Sequence, residues 1–342
     1  MSRLYRVTHD LCDTHIKDLA KNPERYKNIQ FTGNLRDYQE DIAERSLSTL
    51  QRINACLLDM PAGSGKTVMG AYLSSSLKQR TAILMSVDLT LQWKNTYERF
   101  TNSNVVIYRP LTKAIMNNRT KLDNYVKEFF EADVVIFTVG KIVKGKQGAG
   151  DKRLDRTMSE SFGLLIVDEC DTMVASTGIH AIKQFYPHYT LFMTATPERS
   201  NGLHKIYPAF VSDTRIRLER TKAFKFCTFY TGIPIVRKYT NDGTVSWAHI
   251  VSQLSDNEDR NEMIYNYCKT HHRRYTMVLT VEVDHVVALH KYFTDRGLDT
   301  AMIKGNQKKV QLAKYTIATL AKCSRGYDHV AATGVIGSDI DH

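Results

Sequence analysis

A short apolar run, Ala55–Met60, leads into Pro61-Ala62-Gly63-Ser64-Gly65-Lys66-Thr67 and then into a helical pattern. No other stretch restricts the possible folds as tightly. Glycines at 63 and 65 let the backbone turn sharply enough for its N–H groups to converge on one point, at the positive end of the helix that follows. A strand–loop–helix unit of this kind is a cradle for phosphate. Lys66 reaches the β- and γ-phosphates of a nucleotide, the Thr67 hydroxyl ligates Mg²⁺, and Ala62, Gly63, Ser64 and Gly65 line the cradle. The usual form of the loop has a glycine where this chain has Met60. Such a unit belongs in a parallel sheet wrapped by helices.

The rest of the chain fits that class. β-rich runs at Ala55–Met60, Thr81–Val87, Asn104–Tyr108, Ala132–Val139, Gly163–Asp168 and Thr190–Thr194 alternate with helical spacing such as Leu89, Trp93, Tyr97, Phe100. A basic stretch within Val211–Lys225, with Arg215, Arg217, Arg220, Lys222 and Lys225, marks a hinge. A second series follows: strand at Met277–Val281, helix at Asp284–Arg296, strand at Thr300–Ile303, helix at Val310–Lys322 and strand at His329–Ala332. The expected organisation is therefore an extension over 1–30, a first lobe over 31–215 and a second over 216–342. Lys141–Arg156, rich in lysine, arginine and glycine, reads as a mobile basic loop.

About a hundred residues beyond the phosphate loop stands Leu164-Leu-Ile-Val-Asp168-Glu169-Cys170-Asp171, an apolar strand ending in carboxylates. An aspartate at the end of a buried strand can hold Mg²⁺ opposite Thr67. Its neighbour Glu169 can polarise the water that attacks the γ-phosphate. Asp168 is thus the candidate metal ligand and Glu169 the candidate base, with Lys66 the third catalytic residue. Asp171 is expected to couple to the motif that follows.

The net charge of +11 favours a polyanionic partner. Six cysteines (Cys12, Cys56, Cys170, Cys227, Cys268, Cys323) are scattered without a C-x-x-C pair, which indicates reduced thiols rather than zinc or disulfides. The first ten residues lack the apolar block of a secretory signal, and no run is long enough to span a bilayer. The expectation is an intracellular protein, cytoplasmic or nuclear, with no membrane partner.

Taken in order, these segments resemble the motifs of superfamily 2 helicases over residues 35–341. Leu35-Arg36-Asp-Tyr-Gln39 looks like the motif that reads adenine through its glutamine, with Arg36 beside it; amide pairing with N6 and N7 is chemically apt. Pro61–Thr67 and Asp168–Asp171 match motifs I and II. Met193-Thr194-Ala-Thr196-Pro197 looks like motif III, whose hydroxyls link nucleotide and nucleic-acid sites. Leu89-Thr-Leu-Gln92-Trp93 resembles motif Ia, and Phe137-Thr138-Val-Gly140 motif Ib. Met277–Val281 resembles motif IV, and Val330–Ile340, with Thr333 and Gly334, motif V. The resemblance implies two RecA-like lobes, ATP and Mg²⁺ as cofactors, and nucleic-acid contacts from Gln92, Thr138, Gly140, Thr333 and Gly334. Lys144 and Lys146 of the basic loop join that set through their charge. Thr196–Lys205 and Glu258-Asp-Arg-Asn261 narrow the likeness to the branch of XPB, phage UvsW and large-DNA-virus helicases, which favours DNA over RNA.

The family's motif VI, Q-x-x-G-R-x-x-R, closes the ATP site with arginines, and no Gly-Arg dipeptide occurs in these 342 residues. The expectation is slow hydrolysis by this chain alone, or a protein partner that supplies or replaces the motif. An ATP-gated clamp or annealing module without unwinding stands as an alternative to the motor, as does the motor subunit of a restriction system.

Overall fold

The computed structural model describes residues 25–85, 89–143, 154–173, 176–198, 202–211, 214–219, 232–270, 275–304, 313–320 and 332–337. The chain divides into two compact units, Met1–Ala223 and Phe224–His342, here lobe 1 and lobe 2.

Lobe 1 is built on seven parallel strands, β1 (Ala55–Asp59), β2 (Thr81–Met85), β3 (Val105–Ile107), β4 (Val134–Thr138), β5 (Leu164–Asp168), β6 (Tyr189–Thr194) and β7 (Arg215–Arg217), in the order β3-β4-β2-β5-β6-β1-β7. Central strands covered on both faces need apolar residues at every position, which is why β2, β4 and β5 are buried throughout. Alternation then sorts the side chains into two cores. On one face Leu58, Ile83, Ile136 and Ile166 meet helices α1 (Asp37–Ile53), α2 (Lys66–Leu77) and α3 (Thr90–Phe100) through Ile42, Leu73 and Trp93. On the other, Leu57, Leu84, Phe137 and Val167 pack with Tyr125 and Phe129 of α4 (Arg119–Glu131). Helix α1 buries Gln39, Ile42, Ala43, Ser46, Thr49 and Leu50, one stripe at helical spacing, and ends on Asn54 in the left-handed conformation.

Two arginines are buried at the end of this sheet remote from the phosphate loop. Arg80, 1 % exposed, lies between the rings of Phe129 and Phe162 and donates to the carbonyls of Ala132 and Phe129 and to Ser161. Arg25 donates to the carbonyls of Glu160 (2.8 Å) and Tyr186 (2.6 Å), and burial lowers its pKa to about 10. Residues 25–30 are therefore part of lobe 1 and not of an extension: Ile29 is in the core, and Arg80 N–H donates to the Arg25 carbonyl. The boundary expected at 215 also moves, to 223, because β7 pairs with β1 as the edge of the first sheet.

Lobe 2 carries a second parallel sheet, β8 (Tyr275–Thr280), β9 (Thr300–Ile303), β10 (Tyr315–Thr319) and β11 (Ala332–Gly337), in the order β11-β8-β10-β9. It is preceded by α5 (Trp247–Asp256) and α6 (Glu258–Thr270), and α7 (Val283–Thr294) follows β8. The main core joins Val278 and Ile317 to Ile264, Tyr265, Val286, Leu289 and Phe293. The helix expected over Val310–Lys322 is corrected: Tyr315–Thr319 is a strand, buried at all five positions, between β8 and β9. A strand buried on both faces loses its alternation, so periodicity could not separate it from a buried helix. Of the strand expected at His329–Ala332, residues 329–331 lie outside the described residues, and the described strand is Ala332–Gly337. No helix among the described residues is long and apolar enough to cross a membrane.

Candidate active site

The chemistry-bearing residues of lobe 1 meet where β1, β5 and β6 end. Between β1 and α2 the chain reverses with Gly63 at φ +73° and Gly65, the N-cap of α2, at φ +87°. Both lie in the left-handed region, where a side chain costs about 1–2 kcal/mol. Gly65 is needed for a second reason: a Cβ there would stand 2.4 Å from the Gln39 amide nitrogen. That nitrogen donates to the Ser64 carbonyl at 2.9 Å, Tyr38 OH donates to the same oxygen at 3.2 Å, and the Ser64 hydroxyl donates to the Pro61 carbonyl at 2.6 Å. Helix α1 thus braces the loop, while Ala62 and Gly63 stay exposed at its tip.

This placement gives Gln39 a structural task. Gln39 is 3 % exposed, and its Oε1 accepts the Arg36 N–H at 2.9 Å while its amide nitrogen serves Ser64. In this arrangement the amide supports the loop, and its second N–H and second oxygen lone pair are additional to these two bonds. Arg36, exposed, donates to Tyr38 OH at 2.9 Å.

Lys66 sits at the first position of α2. Its Nζ donates to the Met60 carbonyl at 3.4 Å and lies 4.0 Å from Glu169 Oε1, with both side chains largely shielded from solvent. Thr67 follows, half-buried. Asp168 ends β5 at 3 % exposure; burial raises its pKa, and the Trp93 indole and Lys66 oppose the rise. Its Oδ1 accepts the Glu169 N–H at 3.0 Å, and its Oδ2 accepts the Trp93 indole N–H at 2.7 Å. At Glu169 the backbone takes φ +48°, unusual for a residue with a Cβ, and turns the chain out of β5 into the short helix Cys170–Met173. Strain of this kind collects at functional sites, where surrounding structure holds it in place.

Asp171 is buried and accepts two hydroxyls from the end of β6, Thr194 Oγ1 at 2.9 Å and Thr196 Oγ1 at 3.3 Å; Thr194 Oγ1 also accepts the Thr196 N–H at 3.0 Å. The carboxylate segment and the Thr-Ala-Thr segment are therefore one hydrogen-bonded unit.

Mg²⁺ prefers hard oxygen ligands and is commonly held by one or two carboxylates together with substrate phosphates and water. A buried Asp168 carboxylate, with a hydroxyl residue at the head of α2, suits that habit. Among the described residues no group of three or more His, Cys, Asp or Glu could hold a metal.

Residues 32–199 match the family model described as "Type III restriction enzyme, res subunit". The chain is 26% identical over 322 residues to putative helicase 161L of Invertebrate iridescent virus 6, covering 87% of this chain and 69% of that one. It is 27% identical over 179 residues to the DNA 3'-5' translocase XPB2 of Sulfurisphaera tokodaii, 52% of this chain and 34% of that one. The chain belongs to superfamily 2 of the helicases. A solved structure of S. cerevisiae Dbp5 bound to RNA and ADP BeF3 shares the fold, with a TM-score of 0.52 at 14% identity, over 88% of this chain and 75% of that one. The helicase is an ATPase built on RecA-like sheets.

The expected nucleic-acid residues are less uniform than the ATP-site residues. Gln92 is exposed on α3, and Gly140 is exposed with open space around it. Thr138, the last residue of β4, is 2 % exposed. Thr333 stands at an irregularity in the β11–β8 pairing, and Gly334 pairs with Thr276. Lys144 and Lys146 lie outside the described residues.

Sequence reasoning missed three features of the helicase. Trp93, read as core, also touches the motif II aspartate. Arg215 and Arg217, read as hinge, flank buried Asp59 at the end of β1, with Arg215 Nη2 at 2.7 Å and Arg217 Nε at 3.5 Å; Arg215 Nη1 also reaches Glu198 at 3.2 Å. These residues line an open cavity of about 260 Å³ with Pro61, Ala195, Thr196 and Pro197, beside motifs I and III. The basic run was visible in the sequence, but its acidic partner 156 residues away was not.

Proposed function

We propose that the helicase binds ATP with Mg²⁺ at the end of β1, β5 and β6 and couples hydrolysis to movement along duplex or branched DNA. The observation that carries this reading is a pair of contacts two residues apart on one segment, Lys66 with Glu169 and Asp171 with Thr194 and Thr196. It puts a phosphate-binding cation, a base and a relay of hydroxyls within one strand-end cluster.

Lys66 contacts the Met60 carbonyl and Glu169. A triphosphate in the loop draws Lys66 to its β- and γ-oxygens and releases Glu169 to orient water. Water oxygen then attacks the γ-phosphorus as the bond to the β,γ-bridging oxygen breaks, and Glu169 takes the proton. Thr67 and Asp168 would hold Mg²⁺, which would neutralise the charge that develops on the phosphate oxygens. Loss of the γ-phosphate alters what Asp171 faces, and its two threonine bonds pass that change to the segment after β6. The choice of DNA rests on the XPB-like relatives, one of which is named a DNA translocase.

Steady-state ATP hydrolysis with Mg²⁺, measured without nucleic acid and with single-stranded DNA, duplex DNA, forked DNA and RNA, tests the reading. Strong stimulation by duplex or forked DNA is the expected result. Stimulation by RNA alone would reverse the choice of substrate. ATP and DNA binding with no stimulated turnover and no strand displacement would replace the motor by an ATP-gated clamp.

A further inference from the structure

Trp93 is one of two tryptophans in the chain and is 1 % exposed. Bulk explains why such a ring is buried, but not where its edge is aimed. The indole N–H donates to Asp168 Oδ2 at 2.7 Å, across 75 residues of sequence. Three contacts fix that aim. On α2, the helix that begins at the phosphate loop, Gly70 faces the ring, and a Cβ there would stand 2.9 Å from two of its carbons. Glycine at 70 therefore lets the indole lie against this helix at that depth. One turn further along both helices, Tyr97 OH and Ser74 Oγ are 2.6 Å apart. The Tyr97 ring also stacks on Trp93, with centroids 6.0 Å apart. The indole is thus clamped between α2 and α3 and pointed at β5.

The Asp168 carboxylate is held from two sides, by Trp93 on Oδ2 and by the Glu169 N–H on Oδ1 at 3.0 Å. With one protein donor on each oxygen the plane of the carboxylate is set, and its remaining lone pairs keep one direction. A buried tryptophan N–H needs some acceptor. A backbone carbonyl would satisfy it; a carboxylate makes a stronger, charge-assisted bond and is oriented by it. Partners of this kind, one bond behind a metal ligand, set ligand orientation and metal affinity.

We propose that Trp93 is a positioning residue for the metal-ligating carboxylate of Asp168, held in place by Gly70 and by the Tyr97–Ser74 bond. The proposal rests on the ATP·Mg²⁺ reading above and adds a residue to it that carries no metal-binding group of its own.

The test compares the full chain with Trp93→Phe, which keeps an aromatic ring, though a smaller one, and removes the N–H. Binding of a fluorescent ADP is followed while MgCl2 is titrated. In Trp93→Phe the Mg²⁺ concentration at half-effect should rise about 10-fold or more, while ADP binding without Mg²⁺ changes less than about twofold. In Trp247→Phe, where Trp93 is the remaining tryptophan, its emission should change with Mg²⁺ only when ADP is present. An unchanged Mg²⁺ midpoint in a folded Trp93→Phe overturns the proposal and leaves the nucleotide reading standing. ADP binding by the unaltered chain that ignores Mg²⁺ overturns both. If Trp93→Phe does not fold, Gly70→Ala, which keeps the indole but crowds it, carries the test: a raised midpoint supports the proposal and an unchanged one overturns it.

Discussion

The two lobes use the same architecture at different scales. Lobe 1 spreads seven strands between two extensive cores and seals its far end with Arg80 and Arg25, each donating to backbone carbonyls. Lobe 2 has four described strands, one core of moderate size and a much smaller cluster of Met277, Leu279, Ile303 and Ala318 on the other face. The ATP-site residues described above all stand on the larger lobe. A site that holds a left-handed glutamate and a buried carboxylate needs a rigid surround, because each opposes the stability of the fold around it. The smaller lobe carries no such burden among its described residues.

The contrast is broken most severely at the phosphate loop. Lys66→Ala should abolish nucleotide binding as measured by titration of a fluorescent ATP analogue. Lys291→Ala, on the exposed face of α7, should leave binding intact. Equal losses would mean that the nucleotide does not depend on lobe 1 alone. Glu169→Gln comes next. Turnover should fall by about 10²–10⁴-fold, the usual worth of a general base, while nucleotide binding persists; unchanged turnover removes Glu169 as the base.

Packing gives a smaller and more local effect. Phe137→Ala and Phe293→Ala each empty a fully buried site and should cost about 3–5 kcal/mol. In urea, monitored by both tryptophans, Phe137→Ala should shift only the transition of lobe 1, reported by buried Trp93. Phe293→Ala should shift only that of lobe 2, reported by Trp247. A single transition moved equally by both substitutions would show that the lobes unfold as one unit.

The mildest test uses the thiols. Burial pushes both Cys56 of lobe 1 and Cys268 of lobe 2 up to about 12, far from the ordinary thiol range. Raising the pH from 7 to 9 therefore generates little thiolate at either, and iodoacetamide should leave both unmodified in the folded chain. At low urea Cys268 should be labelled first, as detected by peptide mass, because the smaller lobe opens more readily. Labelling of Cys56 first would invert the order of lobe stability.

Much of lobe 1 was legible in the sequence because its signals are local. The strands ending at Asp59, Asp168 and Thr194 are apolar runs, and the glycines of the phosphate loop stand where the backbone needs positive φ. The Asp171–Thr194–Thr196 unit could be anticipated from motif order, although its distances could not. Lobe 2 was read less well. Tyr315–Thr319 was taken for helix because burial on both faces hides the period of a strand.

The amino-acid sequence by itself determined the class of chemistry: glycine, lysine and hydroxyl at the head of a helix, then paired carboxylates at the end of a strand, within a parallel α/β chain. Local backbone conformation and residue type are enough for that. Tertiary structure alone decided which side chains those groups lean on. Trp93 meets Asp168, Gln39 turns to Ser64 and Arg215 meets Asp59 through contacts fixed by how helices pack on the sheet and how its strands pair. Partners so far apart along the chain leave no spacing to read, because their meeting depends on the packing of whole elements and not on the residues between them.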